Sequence, residues 1–429
     1  MPRPLSSVAP PPGPFRRGFF RSPLRGPWLT AFFGSILLVG ITLLFATGLL
    51  SYDAYNPGLH GNSTTRGHHV TGLLLFDWPT HPYWLYRVTQ GVHVTLGLVL
   101  IPVLLAKLWS VIPKLFESPP VRSPAHLIER ASLLLLVGGA IFEFVTGIMN
   151  VQYWYRFPGS FYTLHLYGAW VFMAAFAVHV GMKFPKMVRA LRSRRMRDVL
   201  RTDVAHTEPE PPDPDHLVSP SPARPTMSRR GLLGLVGASS LTVFVVTAGQ
   251  SIGGWTRRLA VLAPRDADIA SGPNGFQVNK RAAEVGITAA QTDSSWQLML
   301  RGSPGAVPVT FTRAALLAMP QHTADLPIAC VEGWSTGNQK WTGIRLRDLA
   351  ALAGVTSPST LNVRSLQKRG AFTAVTLAGN QVMNGDSLLA LQVNDVDLSM
   401  DHGYPARIIV PANPGVHNTK WVSQLTFMA

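Results

Sequence analysis

The chain contains a single cysteine, Cys330, in the segment IACVEGWSTGNQKW at residues 328–341, beside an acid, a glycine and two tryptophans. A lone cysteine cannot form an internal disulfide, so its thiol is a buried apolar group, a nucleophile or a metal ligand. A thiolate is a soft donor that suits a transition metal, but it lacks the three companions of a structural zinc site. Any metal at Cys330 must therefore arrive with other ligands.

Three histidines lie inside long apolar runs in the first half of the chain: His93, His165 and His179. An imidazole inside an apolar span is costly unless it has a partner, so a functional role is the default interpretation. His93 and His165 each precede a proline by 20 residues, Pro113 and Pro185. Two histidines at equal depth on parallel helices suit the two axial positions of a haem iron. Hydrogen bonds to neighbouring helices are the alternative.

A sequence repeat relates these histidines. FATG at 45–48 matches FVTG at 144–147, and KLWSVIPK matches HVGMKFPK, so two helical hairpins look like copies of each other. His179 lies about 21 Å along a helix from His165, a spacing that can hold two stacked haems. Its counterpart in the repeat, however, is Lys107. We therefore expect one haem, with His179 a candidate for a second haem or a quinone contact.

Five apolar runs are each long enough to cross about 30 Å of hydrocarbon as a helix. The net charge of +16 does not indicate nucleic acid, because the basic residues bunch at the ends of these runs. Their distribution places the N-terminus in the cytoplasm and everything after the fifth run outside. No run is interrupted, which disfavours a transporter. The runs are residues 28–50, 88–112, 131–149, 162–182 and 231–252.

The loops at 51–87 and 150–161 are poor in basic residues and are expected outside. They hold aromatic residues expected at the membrane surface: Tyr52, Trp78, Tyr83, Trp84, Tyr153, Trp154 and Tyr155. Four histidines of the first loop are expected to be solvated or structural: His60, His68, His69 and His81.

Composition shifts divide the chain into five segments. MSRRGLLGLVGASS at 227–240 resembles a twin-arginine export signal, which passes folded, cofactor-loaded domains across a membrane. An ordinary span with basic flanks is the alternative. We predict a cytoplasmic basic arm at 1–27, a four-span haem-binding membrane domain at 28–190, a basic then proline-rich, uncompacted cytoplasmic linker at 191–226, a fifth, twin-arginine-like span at 227–255 and a separate domain at 272–429.

The C-terminal domain has short β-rich runs punctuated by Gly, Pro and Asn, with short helices predicted at 313–319, 345–353 and 385–391. We therefore predict a multi-domain chain: an N-terminal all-α transmembrane four-helix bundle, a fifth anchoring span and a compact α+β, mainly β, domain. Four residues near its end could hold an anionic cofactor through charge-assisted bonds to phosphate. They are His402, Arg407, His417 and Lys420.

The four N-terminal spans resemble the membrane cytochrome b of the formate dehydrogenase and hydrogenase type, related in arrangement to the b561 proteins, over about residues 25–190. The resemblance implies haem b and exchange of electrons with quinone. His93 and His165 match the ligands of the outer haem of that family. His179 matches one ligand of the inner haem, whose other ligand is missing here.

Three ordered motifs of the C-terminal domain, CVEGWS at 330–335, WTGIRLRDLAALA at 341–353 and DHGYPARIIVPANPGVHNTKWV at 401–422, resemble the sulfite oxidase-type molybdopterin-binding domain. The resemblance is closest to the catalytic subunit of the periplasmic methionine sulfoxide reductases. It implies that Cys330 supplies the protein sulfur to molybdenum, whose other sulfurs come from the pterin dithiolene. The cofactor-binding positions that it implies are Asn279, Ser365, His402, Arg407, Asn418, Thr419 and Lys420.

The sequence also departs from the sulfite oxidases proper. Their cysteine is followed by an arginine-bearing stretch that receives the sulfite anion, whereas Cys330 is followed by Val331, Glu332 and Gly333. This difference puts sulfite in doubt as a substrate. The side chains proposed near the substrate are Trp334, Gln339 and Lys340.

The sequence thus predicts a multi-pass molybdenum-cofactor oxidoreductase of a bacterial cytoplasmic membrane. We expect two-electron oxygen-atom transfer on a small S-oxide, N-oxide or sulfite outside the membrane, with S-oxide reduction favoured over sulfite oxidation. Haem b would relay electrons to or from membrane quinone. The alternative is a non-enzymatic membrane redox or cofactor-binding module, in which a cytochrome b carries an external docking domain.

Overall fold

The computed structural model describes residues 10–16, 18–62, 76–118, 123–154, 156, 160–264, 271–302, 305 and 307–429. His68, His69 and Tyr155 lie outside these ranges. The chain divides into two compact units. The first comprises Met1–Phe45, Leu96–Met149 and Leu164–Val245, and the second comprises Ala46–Thr95, Asn150–Thr163 and Val246–Ala429.

Helices long and apolar enough to cross a membrane occur where the apolar runs predict them. The second predicted span is two helices that bend by 41° around Leu100, which corrects the expectation of uninterrupted spans. Pro102 lies in the first turn of the second of these helices, and a proline ring cannot continue the hydrogen-bond ladder of a preceding helix. The helices are Pro27–Ala54 (α1), Leu85–Val99 (α2), Ile101–Leu115 (α3), Pro124–Val151 (α4), Phe161–Arg192 (α5), Met196–Arg201 (α6), Arg229–Thr247 (α7) and Gly249–Ile252 (α8).

In the first unit, helices pack through large apolar side chains set against glycines. Trp28, Phe33 and Phe172 belong to one buried cluster. A Cβ atom on Gly139 would lie 3.0 Å from the Cβ of Phe172. Small residues let apolar helices approach closely, which is the usual source of packing energy between membrane helices.

The segment 191–226 packs within the first unit, so the expectation of an uncompacted linker is wrong. Glu210 is buried, and its carboxylate accepts a hydrogen bond of 2.9 Å from the backbone N–H of Trp28 in the first turn of α1. Arg229 donates to the carbonyls of Glu208 at 2.8 Å and Pro23 at 3.1 Å. A carboxylate at a helix N-terminus is favourable, so an acidic, proline-rich stretch can be fixed without forming a regular element.

The second unit contains two β-sheets. The first has the order β2-β1-β10-β5-β6, with β1 and β10 parallel and the other neighbours antiparallel; the second has the order β3-β4-β7-β8, with β9 also paired to β7. The strands are Gln297–Arg301 (β1), Val309–Thr312 (β2), His322–Leu326 (β3), Gln339–Arg345 (β4), Thr360–Ser365 (β5), Ala374–Ala378 (β6), Leu388–Val393 (β7), Val396–Asp397 (β8), Arg407–Ile409 (β9) and Val422–Met428 (β10).

Short helices flank these sheets. Arg313–Leu317 (α9) and Leu346–Leu352 (α10) confirm two predicted helices. The helix predicted at 385–391 is wrong, because Leu388–Val393 is a strand and the helix lies earlier, at Gly379–Met383 (α11). β7 pairs with strands on both sides and is almost entirely buried, so its sequence LLALQV lacks the alternation of a half-exposed strand.

Segments from the first half of the chain also belong to the second unit. Trp78 is 1% exposed, and its indole N–H donates to the carbonyl of Ala412 at 2.7 Å. Asn62 forms a pair of 2.8 Å hydrogen bonds with the backbone of Thr376 in β6. Trp78 was expected at the membrane surface, and this expectation is wrong because its N–H group has a buried backbone acceptor.

Candidate functional site

Cys330 lies on a tight turn that joins β3 to β4. Its N–H donates to the carbonyl of Trp334 at 2.9 Å, and the N–H of Gly333 donates back to the carbonyl of Cys330 at 3.0 Å. The thiol-bearing residue is 2% exposed. Gly333 has φ +89°, a conformation that favours glycine, and a Cβ atom on it would lie 2.6 Å from the side chain of Val94. The glycine beside the cysteine is therefore required by both backbone and packing.

Segments outside the C-terminal domain hold this turn from several directions. The side-chain amide of Gln90 donates to the carbonyl of Val331 at 2.6 Å. The Ser251 hydroxyl donates to the carbonyl of Gly333, and the N–H of Ser335 donates to the carbonyl of Gln250 at 2.9 Å. The turn is thus fixed through its backbone on both sides of Cys330, a feature that the sequence analysis did not identify.

Glu332, two residues after Cys330, has a buried carboxylate that is hydrogen bonded to other side chains. One of its carboxylate oxygens accepts hydrogen bonds from the Tyr153 hydroxyl at 2.9 Å and the Trp334 indole at 2.5 Å. Tyr153 and Trp334 were expected at the membrane surface and near the substrate, respectively. Their side chains are instead the donors that hold this acid in place, because a buried carboxylate requires such bonds.

A buried basic cluster lies on the loops around β9. The Arg407 guanidinium donates to the carbonyls of His402 at 2.9 Å and Asn418 at 3.2 Å, and it lies 5.0 Å from the ring centroid of Trp341. The Lys420 ammonium donates to the carbonyls of Lys280 and, at 2.8 Å, Asp401. Burial lowers the pKa of Arg407 to about 9 and that of Lys420 well below its ordinary value. Neither cation has a carboxylate ion-pair partner among the described residues.

Two histidines of the same region keep an unpartnered ring nitrogen. The Nε2 atoms of His402 and His417 are buried and have no hydrogen-bond partner in the described part of the chain. Burial lowers the pKa of each to about 3, and Arg407 and Lys420 also lower that of His402. Unpartnered ring nitrogens beside buried cations that have no close ion-pair partner among the described residues fit an anionic, hydrogen-bonding group such as a phosphate.

Apolar contacts connect this basic cluster to the cysteine turn. Cys330, Phe276 and Trp341 belong to one buried cluster. The Phe276 ring lies 3.9 Å from that of His402, and the N–H of Gly415 donates to the carbonyl of Ala329 at 2.7 Å. The structure therefore brings the predicted sulfur ligand and the predicted anion-binding residues into one site.

The other residues predicted to bind the cofactor lie next to the basic loops or form hydrogen bonds with them. Asn279 is half-buried beside Lys280, whose carbonyl receives Lys420. The Ser365 hydroxyl donates to the carbonyl of Lys420 at 2.8 Å. Asn418 accepts the N–H of Val410 at 3.0 Å through its side chain, and the carbonyl of Thr419 accepts the N–H of Ile408 at 2.8 Å. These bonds set the course of the basic loops.

Gln339 and Lys340, proposed near the substrate, contact a different part of the domain. Gln339 accepts a hydrogen bond of 2.8 Å from Asn394, and Lys340 forms an exposed ion pair of 2.7 Å with Asp395. Both partners lie on the β7–β8 turn, because β4 pairs with β7 and starts opposite that turn. Proximity to Cys330 in the sequence was therefore misleading for these two side chains.

His93 and His165, the two histidines expected to bind haem, each form a hydrogen bond between Nδ1 and the hydroxyl of a threonine in the repeat motif. In the second unit, Thr47 of FATG lies 3.2 Å from Nδ1 of His93, and a Cβ atom on Gly48 would lie 3.2 Å from the same ring. In the first unit, Thr146 of FVTG lies 2.9 Å from Nδ1 of His165. A hydrogen bond at Nδ1 fixes the ring and assigns Nε2 as the atom that would bind iron.

The threonines were visible in the sequence only as part of the repeat. Thr146 donates its own hydroxyl hydrogen to the carbonyl of Phe142 at 2.7 Å, so it accepts from the His165 ring. The carboxylate of Glu143 also lies 3.0 Å from Nδ1 of His165. The signal that could have identified both threonines is their fixed place within matching tetrapeptides.

His179 and Lys107 line one cavity of about 270 Å³ in the first unit. Apolar side chains of α1, α3, α4 and α5 form most of its wall. Lys107 donates to the carbonyl of Thr30 at 2.8 Å. The lysine that replaces the expected second histidine is therefore anchored to α1 at the edge of a chamber that His179 shares.

Comparison with known proteins agrees with this site. Residues 285–429 match the family described as "Oxidoreductase molybdopterin binding domain". Mitochondrial sulfite oxidase of Drosophila melanogaster is 32% identical over 156 residues, which cover 30% of this chain and 26% of that protein. Volvox carteri NADH nitrate reductase is 29% identical over 148 residues, which cover 28% and 17%. The uncharacterized oxidoreductase YuiH of Bacillus subtilis (strain 168) is 28% identical over 134 residues, which cover 31% and 66%.

The C-terminal part of the chain is therefore a molybdopterin-binding oxidoreductase domain with sulfite oxidase homologues. The matched segment spans about a quarter of the length of the fly sulfite oxidase. The family match begins at residue 285, after the long helices, so it concerns the second unit.

Replacing Gly333 with alanine should disrupt the cysteine turn. The added methyl group would clash with Val94 and force a residue with a side chain into φ +89°, at a cost of about 1–3 kcal/mol for overpacking alone. We expect Gly333→Ala to lower the thermal unfolding midpoint and the molybdenum content of purified protein. Gly337→Ala is the matched control, because nothing lies within 4 Å of its added Cβ. Equal molybdenum contents in the two variants would contradict the argument.

Acid should destabilise the protein through His417. Its pKa is about 3 in the folded chain against an ordinary 6.5, so between these values the unfolded state binds more protons. Stability contributed by the neutral ring is complete above about pH 6.5 and is lost as pH falls towards 3. We expect His417→Gln to flatten the dependence of the unfolding midpoint on pH between 7 and 5. His60→Gln, at an exposed position, should leave that slope unchanged; a native slope in His417→Gln would refute the assignment.

Proposed function

We propose that this protein is a membrane-bound molybdenum-cofactor oxidoreductase that transfers an oxygen atom to or from a small substrate outside the cytoplasmic membrane. Haem b would relay the electrons to or from membrane quinone. The observation that carries the proposal is the buried basic cluster joined to the Cys330 turn. Among the described residues, Arg407 and Lys420 form no ion pair with a carboxylate, and Nε2 of His402 and of His417 has no hydrogen-bond partner, an environment that suits an anionic cofactor.

The residues of the second unit fit a molybdopterin cofactor. Cys330 would bind the metal through its sulfur, while His402, His417 and Lys420 would hold the pterin and its phosphate. Arg407 would act mainly by fixing the two loops that its guanidinium bridges. When bound, the cofactor supplies two-electron oxygen-atom transfer, and the protein supplies burial and orientation.

The two threonine-bound histidines support a single haem b. His93 and His165 would be its axial ligands, with Thr47 and Thr146 setting the ring orientations. A second haem has no matching histidine at position 107. The cavity that Lys107 and His179 share measures about 270 Å³, below the roughly 300–1,000 Å³ of sites for drug-sized ligands. We infer that it takes a quinone head group, because Lys107 stands where a second haem would need a histidine.

The electrostatics of the cysteine turn favour a neutral oxygen-bearing substrate. Glu332 is 8% exposed and lies two residues from Cys330, and a buried carboxylate repels an anion such as sulfite. The names of the relatives point to sulfite and nitrate for those proteins. We infer that an S-oxide or N-oxide suits this chain better.

Replacing the Cys330 thiol should abolish molybdenum-dependent turnover without affecting the haem. We expect Cys330→Ser in the full-length protein to abolish reduction of dimethyl sulfoxide and trimethylamine N-oxide by reduced methyl viologen, while the haem absorption spectrum remains. His93→Ala should remove the haem spectrum and leave viologen-driven turnover. Elemental analysis for molybdenum and iron accompanies both variants. Full activity in Cys330→Ser would refute the proposal, and haem without molybdenum in the native protein would favour a non-enzymatic redox module.

Removing a threonine hydroxyl should weaken haem binding without changing the fold. Thr146→Val keeps the shape of the side chain but removes one of the two acceptors at Nδ1 of His165, so that only the carboxylate of Glu143 remains of the pair. Loss of such a supporting bond typically lowers affinity by about 10–100-fold, so we expect sub-stoichiometric haem and an altered haem midpoint potential. Thr42→Val is the control, because that exposed threonine bonds only its own helix, at the carbonyl of Leu38. Native haem content and potential in Thr146→Val would contradict the prediction.

A further inference from the structure

Three tyrosines from the first half of the chain meet in the second unit. Tyr55 follows α1, Tyr86 lies in the first turn of α2, and Tyr162 lies in the first turn of α5. The hydroxyls of Tyr55 and Tyr162 hydrogen bond to each other, and their rings are 5.4 Å apart. The Tyr55 ring also lies 4.8 Å from that of His417. We refer to these three residues as the tyrosine trio.

The trio adjoins the cysteine turn. Ala329 belongs to the same buried cluster as Tyr55 and Tyr86. Gln90, one helical turn after Tyr86, binds the carbonyl of Val331. Cys330 therefore lies between two residues that are both in contact with the tyrosine-bearing segments.

Electrostatics agrees with this placement. Burial raises the pKa of Tyr55 well above its ordinary value, and Tyr162, Tyr86 and Cys330 raise it further. A phenol in this state donates a hydrogen bond or a proton and does not act as a base near neutrality. The titratable groups around the trio are Cys330, Glu332 and His417.

The Tyr86 hydroxyl forms no hydrogen bond of normal geometry with any of the described residues, although the hydroxyls of Ser51 and Tyr55 lie close to it. Tyr86 is 1% exposed, so this hydroxyl is buried. Burying a hydroxyl unpaired is unfavourable. A polar group kept in this position beside a cofactor site indicates a ligand atom that accepts its hydrogen bond.

We propose that Tyr86, supported by the hydrogen-bonded pair Tyr55–Tyr162, is a catalytic residue that binds and protonates the substrate oxygen next to Cys330. This inference rests on the proposed function. For an S-oxide the S–O bond breaks, two electrons come from the reduced donor and two protons are added, so the products are a sulfide and water. The trio supplies protons to that oxygen as the S–O bond breaks. Residues outside the molybdopterin-binding domain thereby complete its active site.

The test uses the full-length, molybdenum-loaded protein with Tyr86→Phe and, as matched control, Tyr83→Phe at an exposed position on the same segment. With dimethyl sulfoxide and reduced methyl viologen, we expect kcat of Tyr86→Phe to fall by about 100-fold, with KM little changed and molybdenum content intact. Tyr83→Phe should behave like the native protein. A kcat in Tyr86→Phe equal to that of the control would overturn the proposal.

A second readout requires no turnover. Electron–nuclear double resonance of the paramagnetic molybdenum centre, in H2O and D2O, should detect an exchangeable proton in the native protein and in Tyr83→Phe but not in Tyr86→Phe. The same coupling in all three proteins would overturn the placement of the phenol. If no oxygen donor is reduced but the coupling is lost in Tyr86→Phe, the proposed substrate fails while the trio stands.

Tyr162→Phe guards against misfolding of the first variant. It removes one hydroxyl of the supporting pair and leaves Tyr86 in place. Should Tyr86→Phe lose molybdenum, Tyr162→Phe decides the question: a lowered kcat with full molybdenum content supports proton supply through the trio, and a native kcat overturns it.

Discussion

Arg407 and Lys420 are buried cations. Their side chains donate hydrogen bonds to backbone carbonyls and lie against aromatic rings, and neither forms an ion pair with a carboxylate among the described residues. Taking such charges out of water is unfavourable unless an anion compensates them. Arg407 lies at the start of β9, and Lys420 lies just before β10. An anionic cofactor therefore stabilises the folded site as well as giving it reactivity, and the neighbouring orphaned nitrogens of His402 and His417 have the same requirement.

The cysteine turn shows how closely the early segments are tied to the C-terminal domain. Gly333 is packed against Val94, and the carbonyl of Val331 accepts a hydrogen bond from Gln90. Val94 and Gln90 both lie on α2, one helical turn apart. His93 lies on the same stretch of helix, bonded to Thr47. A displacement of α2 would therefore move the Cys330 turn and His93 together. The second unit is therefore held together by contacts between segments that are far apart in the sequence.

Much of this organisation could be predicted from sequence because the relevant signals are local. Apolar runs locate the helices, and alternating residues locate strands such as β1 and β10. The sequence LLALQV was not recognised as a strand, because apolar and polar residues do not alternate in a strand that is buried on both faces. The hydrogen bonds of Glu210 and Gln90 could not be predicted for another reason: their partners, Trp28 and Val331, are 182 and 241 residues away. No local pattern marks a long-range polar contact, and the tyrosine trio was hidden in the same way, since each member looks like a helix-end aromatic.

The internal repeat carries the last step of the argument, because its two copies differ where chemistry would differ. Thr47 and Thr146 keep the same bond to a histidine, one in each copy. Glu143 adds a carboxylate at His165, whereas the matching position before FATG is Leu44. A carboxylate on one imidazole makes that ligand the stronger electron donor. At the other end, His179 is matched by Lys107, anchored to Thr30. The two copies therefore differ in the groups beside their histidines: Glu143 lies at His165, and Lys107, the counterpart of His179, lines the cavity of the first unit with it.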